Sequence, residues 1–385
     1  MNFEPLKNFL DNCLPRLGIP GSDTVIYKGR EEVFRYQSGY DNMRLGTPVR
    51  ADALYHMYSV TKVTLAVAAA QLVERGEILL TDPVSAYFPE YKDLKVAERR
   101  ADGTVEVRPA RTQLLIKHLL TMTSGLDYDV NRPAIAKVRA ATGGRCPTLD
   151  IVRALAEDPF CFDPGTAYKY SLSHDVMGGV VELVSGMRLS DYMRENIFLP
   201  IGMVNTSFGL TDSKLERLAT QYAYDPATKC AKEIATDYNP YAFGPDYDSG
   251  GAGLISSVDD MILLADALTH KGLGKNGNRI LSSYTVDAMR ANILDERQLT
   301  SFTTTFAMAA HLQGYGYGWG VRANMKPEMT GNLMPCGEFG WDGAKLSYLS
   351  ACPESGISIF HAEHMGGLHS TVIPRLRNVI YSCMD

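Results

Sequence analysis

Ser59 and Lys62 belong to an S-x-x-K tetrad, Ser59-Val60-Thr61-Lys62, which opens a run with helical periodicity. Residues three apart on a helix project from the same face, so the Lys62 amine would lie beside the Ser59 hydroxyl. Burial lowers the pKa of a lysine, and a neutral amine can take the proton of a serine. A helix N-terminus also offers N–H groups to an oxyanion. The pair predicts acyl transfer through an acyl-serine; the alternative is that Ser59 is an ordinary helix cap.

Tyr170 is a second candidate for chemistry. It follows the Pro164-Gly165 turn and precedes an apolar run from Val176 to Val184 with helical spacing. A tyrosine relays protons when nearby cations lower its pKa. The alternative is a buried tyrosine with a bonded hydroxyl, which is common in a chain with 21 tyrosines.

A third signal is the segment from Phe339 to Ala344, which reads Phe-Gly-Trp-Asp-Gly-Ala before a predicted strand. Glycines at 340 and 343 permit close approach of the backbone to a ligand. A backbone N–H in this segment could be a second donor to an oxyanion. The alternative is a plain turn into the strand.

Together these motifs resemble the serine β-lactamase and penicillin-binding protein superfamily, in its class C-like branch, over nearly the whole chain. That branch includes family VIII carboxylesterases, which the chain resembles most, with D-aminopeptidases and related acyltransferases. Ser59-x-x-Lys62 fits the nucleophile motif. Four further segments stand in the expected order: His118–Leu126 (H-L-L-T-M-T-S-G-L), Pro164–Ser171, Gly251–Asp260 and Trp341-Asp342-Gly343.

The resemblance implies a role for each matching residue. Ser59 would be the acylated nucleophile, and Lys62 and Tyr170 would share the general-base and general-acid work. The N–H groups of Ser59 and Ala344 would form the oxyanion hole. The substrate would also meet Trp341, Gly343 and Leu172.

Two departures from the lactamase pattern bear on the substrate. Leu172 stands where a Y-x-N motif has asparagine, and it cannot bond an amide. Trp341 stands where a K-T-G motif has lysine, and it offers an apolar face and one indole donor. Both changes suit an uncharged ester with a short to medium acyl chain. We therefore expect a serine carboxylesterase; the alternatives are a β-lactamase, a D-amino-acid peptidase, an acyltransferase, or a non-catalytic binding protein on the same scaffold.

The elements that must position these residues predict an α+β, β-lactamase-like fold. Strand-like runs lie near both ends of the chain, at 23–28, 32–37, 345–352 and 356–361, and Gly29-Arg30 separates the first two as a hairpin turn would. The middle has mainly helical patterns, with candidate helices at 113–121, 148–157, 173–185, 189–198, 258–271 and 282–291. The ends would pair into one antiparallel sheet, flanked by helices. We predict one domain from residues 1–85 together with 300–385, a mainly helical domain at 86–299, and the active site in the cleft between them. Residues 222–253 are predicted to be a long loop over the site.

Composition and charge narrow the class of protein. The 385 residues carry a net charge of −6 without a basic stripe, so we expect no nucleic-acid or membrane partner. No signal peptide is visible and the seven cysteines are scattered, which indicates a cytoplasmic location. We expect a small-molecule ester as substrate and no cofactor; the oligomeric state stays open.

His361, Glu363, His364 and His369 could bind zinc, but a strand end and a helix start would hold them apart, so no metal is expected. The absence of a G-x-S-x-G elbow argues against an ordinary α/β-hydrolase.

Overall fold

The strands form one large sheet and three small ones. The computed structural model describes residues 1–100, 102–304 and 311–384. Its strands are β1 Gly21–Lys28, β2 Glu31–Asn42, β3 Thr47–Pro48, β4 Leu54–His56, β5 Lys95–Arg99, β6 Val105–Pro109, β7 Ser207–Phe208, β8 Gln221–Asp225, β9 Cys230–Ile234, β10 Leu254–Ser257, β11 Tyr315–Tyr317, β12 Arg322–Asn324, β13 Phe339–Asp342, β14 Tyr348–Cys352, β15 Ile357–Ala362 and β16 Met365–Gly366.

The large sheet is antiparallel and takes its strands from both ends of the chain. Its order is β11-β12-β13-β14-β15-β1-β2-β3, so β1 lies between β2 and a strand more than 300 residues later. In that pairing Asp23 is opposite Ala362 and Lys28 is opposite Ile357. The predicted sheet, built from the two chain ends, is confirmed.

Helices fill both faces of this sheet and the middle of the chain. They are α1 Glu4–Asn8, α2 Leu14–Arg16, α3 Thr61–Glu74, α4 Ile116–Leu120, α5 Pro133–Ala141, α6 Thr148–Ala154, α7 Ser173–Ser185, α8 Leu189–Met193, α9 Leu199–Ile201, α10 Asp212–Leu215, α11 Val258–Thr269, α12 Ser283–Arg290, α13 Glu296–Thr304, α14 Pro327–Thr330 and α15 His369–Ser382. A π-helical turn, Phe9–Cys13, joins α1 to α2, and another, Arg194–Phe198, joins α8 to α9.

Alternation along the central strands divides the apolar residues between two cores. Side chains point to opposite faces of a strand with period two. Val25 and Phe360 accordingly join the main core with α3, α7 and α11, whereas Ile26 and Ile359 join a second core with the terminal helices α1 and α15. Because both faces of β1 and β15 are covered, most residues of the two strands are buried, including polar ones such as Asp23 and His361.

Helix α3 is buried on all sides, from Thr61 to Leu72. It packs against α7, α8 and α12. A helix surrounded by protein needs apolar residues around its circumference rather than on one stripe. This explains its run of alanine and valine, and it makes α3 a rigid base for Ser59 and Lys62.

The loop prediction at 222–253 was wrong in its first third. The hairpin of β8 and β9 occupies it up to Ile234, and β8 also pairs in parallel with β16.

Helices α5 and α13 were not predicted, whereas α7 has the predicted bounds, 173–185. The division into two domains stays a prediction. No helix in the described ranges has the length and apolar character needed to cross a bilayer.

Candidate active site

Ser59 lies in a tight turn between β4 and α3. The 3-10 turn Tyr58–Val60 precedes the helix, and Tyr58 has a φ of 46°, in the left-handed region. A bulky residue in this region costs roughly 1–3 kcal/mol and needs support from its surroundings. The Tyr58 hydroxyl supplies it by donating to Gln221 Oε1 at 2.6 Å and lying 3.2 Å from the Tyr238 carbonyl. The turn that presents Ser59 is thus held from outside the helix.

Lys62 is fully buried and lies beside the serine. Its Nζ is 3.2 Å from Ser59 Oγ, 3.1 Å from the Tyr128 hydroxyl and 2.7 Å from the Gly251 carbonyl oxygen. Burial lowers the pKa of Lys62 to about 7, and the nearby Asp175 carboxylate works in the opposite direction. A substantial fraction of the amine is therefore neutral near pH 7 and able to accept a proton.

Tyr170 lies before α7 and stacks between two other aromatic rings. Its ring centroid is 5.4 Å from that of Tyr128 and 5.7 Å from that of Trp341, and Lys62 Nζ is 4.6 Å from its centroid. Trp341 Nε1 donates to the Tyr170 hydroxyl at 3.1 Å. Burial raises the pKa of Tyr170, against the effect of its hydrogen bonds with Ser59 and Trp341. We had expected cations to lower this pKa; instead Tyr170 is a neutral phenol.

The turn after β13 packs directly against the residue two before Ser59. A Cβ on Gly343 would lie 2.4 Å from the Met57 carbonyl oxygen and 2.0 Å from Ser347 Oγ, so only glycine fits there. Ser347 Oγ donates to that same Met57 carbonyl at 3.1 Å. Ala344 is exposed, and within the described residues no acceptor takes its N–H. The arrangement leaves one amide available beside the serine turn.

Leu172 and Trp341 are both buried, 1% exposed each, in the main core. Leu172 precedes α7, and its N–H donates to the Asp127 carbonyl. Trp341 contacts Tyr170 as described. Of the predicted site residues, Ser59, Lys62, Tyr170 and Trp341 are thus joined by direct contacts, and Gly343, which precedes Ala344, lies against the serine turn.

Three residues of this cluster were not predicted: Tyr128, Gly251 and Asp175. Asp175 Oδ1 accepts from Ser249 Oγ at 2.6 Å and from the Tyr247 hydroxyl at 2.8 Å. His174 and Asp175 are adjacent on α7, and both are buried. The position of Gly251 inside the motif at 251–260 was an available signal, whereas nothing local distinguished Tyr128 from the other tyrosines.

The loop after β9 lies over the cluster. His56, Tyr58 and Gln221 bond to its carbonyl groups at Ala235, Thr236 and Tyr238. Its Tyr241 ring meets the Tyr128 ring edge-on at 5.1 Å. Residues of this loop also line a cavity of about 600 Å³, together with Val130, Asn131 and Arg139.

The histidines near the C-terminus have separate partners. His361 Nδ1 contacts Thr24 Oγ1 at 2.7 Å and its Nε2 contacts Glu363 Oε1 at 2.8 Å. His369 Nε2 instead contacts the Gly343 carbonyl oxygen. Across residues 1–100, 102–304 and 311–384, no three His, Cys, Asp or Glu side chains are grouped as metal ligands would be.

Comparisons with known proteins agree in family and fold. The profile of the Beta-lactamase family matches residues 6–362. Esterase EstB of Burkholderia gladioli is 28% identical over 361 residues, which cover 88% of this chain and 84% of EstB. Acyltransferase calJ of Penicillium decumbens is 25% identical over 90% of this chain and 84% of its own length. The solved structure of EstCE1, a hydrolase with promiscuous acyltransferase activity, covers 98% of both chains with a TM-score of 0.77 and 24% identity. At that identity the structural likeness shows the shared fold alone.

Proposed function

We propose that this chain, which belongs to the beta-lactamase family, is a serine hydrolase that cleaves uncharged carboxylic esters of short to medium acyl chain length. The observation that carries the proposal is the Trp341 indole, buried against Tyr170 with its N–H bonded to the phenol. It puts an apolar ring where a K-T-G lysine would attract a substrate carboxylate. Its one donor is also engaged already.

In the first half of the proposed reaction, neutral Lys62 takes the proton of Ser59 Oγ across 3.2 Å. Ser59 Oγ then attacks the carbonyl carbon of the ester. The N–H groups of Ser59 and Ala344 stabilise the negative charge on the carbonyl oxygen. As the bond to the alcohol oxygen breaks, the Tyr170 phenol gives that oxygen a proton and regains one from Lys62.

The second half repeats these steps with water. Water attacks the acyl carbon while its proton passes to Lys62 through Tyr170, which gives up its own proton as it takes that of water, and Ser59 Oγ then leaves with the proton from Lys62. A neutral Tyr170 suits this role, since it has a proton to give at neutral pH. The raised pKa of Tyr170 caused by burial supports this assignment.

Two further features support an ester rather than a β-lactam or peptide substrate. Leu172 adds no amide group to bind a carbonyl or an amide side chain. EstB, a curated relative over most of the chain, is named as an esterase. We also propose a reducing compartment such as the cytoplasm, a location that seven free cysteines support.

A second candidate is transfer of the acyl group to another alcohol. Ser59 is 9% exposed and aromatic rings surround its partners, a setting that limits access of water. The similarity to calJ, which is named as an acyltransferase, also supports acyl transfer. Adding methanol or benzyl alcohol to the ester assay tests it, because a transferase would form the new ester at the expense of the free acid.

The test of the main proposal is hydrolysis of p-nitrophenyl esters from acetate to octanoate, beside nitrocefin. Wild type should hydrolyse the esters with little nitrocefin cleavage, and Ser59→Ala should lose turnover. Ser207→Ala is the matched control, because this half-buried serine also lies beside a lysine, Lys214, away from the cluster. Nitrocefin turnover without ester turnover would contradict the proposal.

A further inference from the structure

We propose that His369 is a positioning residue for the oxyanion hole, acting through the Gly343–Ala344 peptide group. The inference rests on the proposed function. His369 is the first residue of α15, and its Nε2 lies 2.5 Å from the Gly343 carbonyl oxygen. A carbonyl oxygen only accepts hydrogen bonds, so the imidazole hydrogen must be on Nε2.

The contact matters because of what lies at the other end of the same peptide group. The Gly343 carbonyl and the Ala344 N–H belong to one planar unit. A donor on the oxygen draws electron density from the nitrogen, which makes its N–H a stronger donor, since linked hydrogen bonds polarise one another. Leu346 N–H donates to that oxygen at 2.9 Å, and His369 is the second donor.

The same contact also fixes the direction of the Ala344 N–H. Gly343 N–H is bonded to the Ser347 carbonyl at 2.7 Å, and a Cβ on Gly343 would meet the Met57 oxygen. His369 restrains the following peptide plane from the opposite end. Preorganised donors of this kind stabilise an oxyanion without reorganising during the reaction.

Helix α15 has anchors to the sheet that do not involve His369. Arg377 Nε donates to the Tyr348 hydroxyl at 3.2 Å, and Arg377 Nη2 is 3.9 Å from Asp342 Oδ2. Leu376 and Ile380 are buried in the second core. Replacing the half-buried His369 should therefore leave α15 in place and change only the peptide that it contacts.

The experiment compares His369→Leu, which lacks a donor, with His369→Gln, which keeps an N–H at similar reach. We measure the rate at which a fluorophosphonate labels Ser59, the acylation rate with p-nitrophenyl acetate, and inhibition by phenylboronic acid, whose adduct carries an oxyanion. His369→Leu should slow labelling and acylation about tenfold, since losing a whole oxyanion donor costs about 10²–10³-fold. Boronate affinity should fall by a similar factor with KM nearly unchanged, and His369→Gln should recover most of the loss.

His270→Leu is the matched control, because His270 also bonds a backbone carbonyl, that of Asp266, in a different part of the molecule. It should label Ser59 at the wild-type rate. If His369→Leu does not fold, His369→Ala with added imidazole replaces it, and imidazole should accelerate labelling of that variant.

Two results separate the failure of this inference from failure of the proposed function. Labelling of His369→Leu at the wild-type rate would overturn the role of His369 and leave the function standing. A wild-type protein that is not labelled at Ser59 would overturn both. A rise in KM without a loss of boronate affinity would assign His369 to substrate binding and would also contradict the inference.

Discussion

At the scale of single residues, the charge of Lys62 is balanced between burial and one carboxylate. Burial removes water from the amine and lowers its pKa to about 7, while Asp175 favours the charged form. Asp175 is itself buried, and its Oδ1 accepts hydrogen bonds from Ser249 and Tyr247. The proton affinity of Lys62 is therefore set mainly by burial, and it is adjusted by a carboxylate that does not touch the serine.

The acylation rate should consequently rise with pH through an apparent pKa near 7, because only the neutral form of Lys62 accepts the serine proton. Asp175→Asn removes the negative charge that raises the pKa of Lys62, so the midpoint should move to lower pH. Stopped-flow acylation between pH 5 and 9 measures it. If the midpoint of the pH–rate profile is the same in Asp175→Asn as in wild type, the titration of Lys62 does not cause the rise in acylation rate.

Trp341→Phe should separate the two contributions of the indole. Phenylalanine keeps an aromatic face against Tyr170 but removes the N–H that donates to its hydroxyl at 3.1 Å. We expect kcat for p-nitrophenyl butyrate to fall about tenfold, with little change in KM. This is a partial loss of general acid–base catalysis, which contributes about 10²–10⁴-fold in full. A large rise in KM with kcat intact would instead show that the indole acts on substrate binding alone.

At the scale of elements, the site depends on how close the β13–β14 turn comes to the serine turn. β13 ends at Asp342, and the turn reaches β14 at Tyr348. Gly343 has no side chain because the Met57 oxygen occupies the space where a Cβ would be. This contact brings the β13–β14 turn directly against the residues that precede Ser59.

Gly343→Ala should therefore lower activity by moving the β13–β14 turn. An added Cβ would lie 2.4 Å from the Met57 carbonyl oxygen, so the turn must shift and carry the Ala344 N–H with it. We expect acylation to fall about a hundredfold, the scale of losing one oxyanion donor. Gly331→Ala is the control: its φ is 65° and its Cβ would meet nothing within 4 Å, so backbone strain alone should leave acylation unchanged.

At the scale of the whole molecule, a buried group of charges joins the sheet to the C-terminal helix. Arg322 Nη1 lies 3.1 Å from Asp342 Oδ1, and Arg322 Nη2 lies 3.1 Å from Glu338 Oε1. Arg377 from α15 approaches Asp342 at 3.9 Å. Burial by itself would raise the pKa of Asp342, but Arg322, His311 and Arg377 together hold it below its ordinary value. This cluster connects β12, β13 and α15, and its member Asp342 directly precedes the β13–β14 turn.

Asp342→Asn should destabilise the protein by about 3–5 kcal/mol at pH 7, because it leaves buried guanidinium groups without their partner. A carboxylate with a lowered pKa stabilises the fold above its unfolded pKa, and that stability is lost as the pH falls further. The difference from wild type should thus be full at pH 7 and shrink below the ordinary pKa of 3.8. Urea unfolding at pH 7 and pH 3 measures it.

The control for Asp342→Asn is Asp52→Asn, since the Asp52 side chain is 63% exposed beside Arg50 and Arg217. An exposed pair contributes less than about 1 kcal/mol. Equal losses of stability in the two variants would show that the buried cluster stabilises the protein no more than an exposed ion pair does.

Much of the fold was predictable because its signals are local. The apolar spacing in 173–185 defined a helix with the observed bounds, and the Gly29-Arg30 turn joined two strands that do pair. The hairpin of β8 and β9 escaped prediction because its strands are short and partly exposed, and Asp225, Lys232 and Glu233 interrupt their apolar pattern. Such segments become strands through tertiary pairing: β8 pairs with β9 on one side and with β16 on the other.

By itself the sequence indicated the family and the fold class, and it placed Ser59 and Lys62 side by side, because a motif of four residues at the start of one helix is a local property. The tertiary structure decided which of 21 tyrosines meet Lys62, that Asp175 is buried near it, and that His369 contacts the Gly343 carbonyl oxygen. These residues come from segments far apart in the chain. Their proton affinities depend on burial and on distances of a few ångströms, which exist only once the segments have packed together.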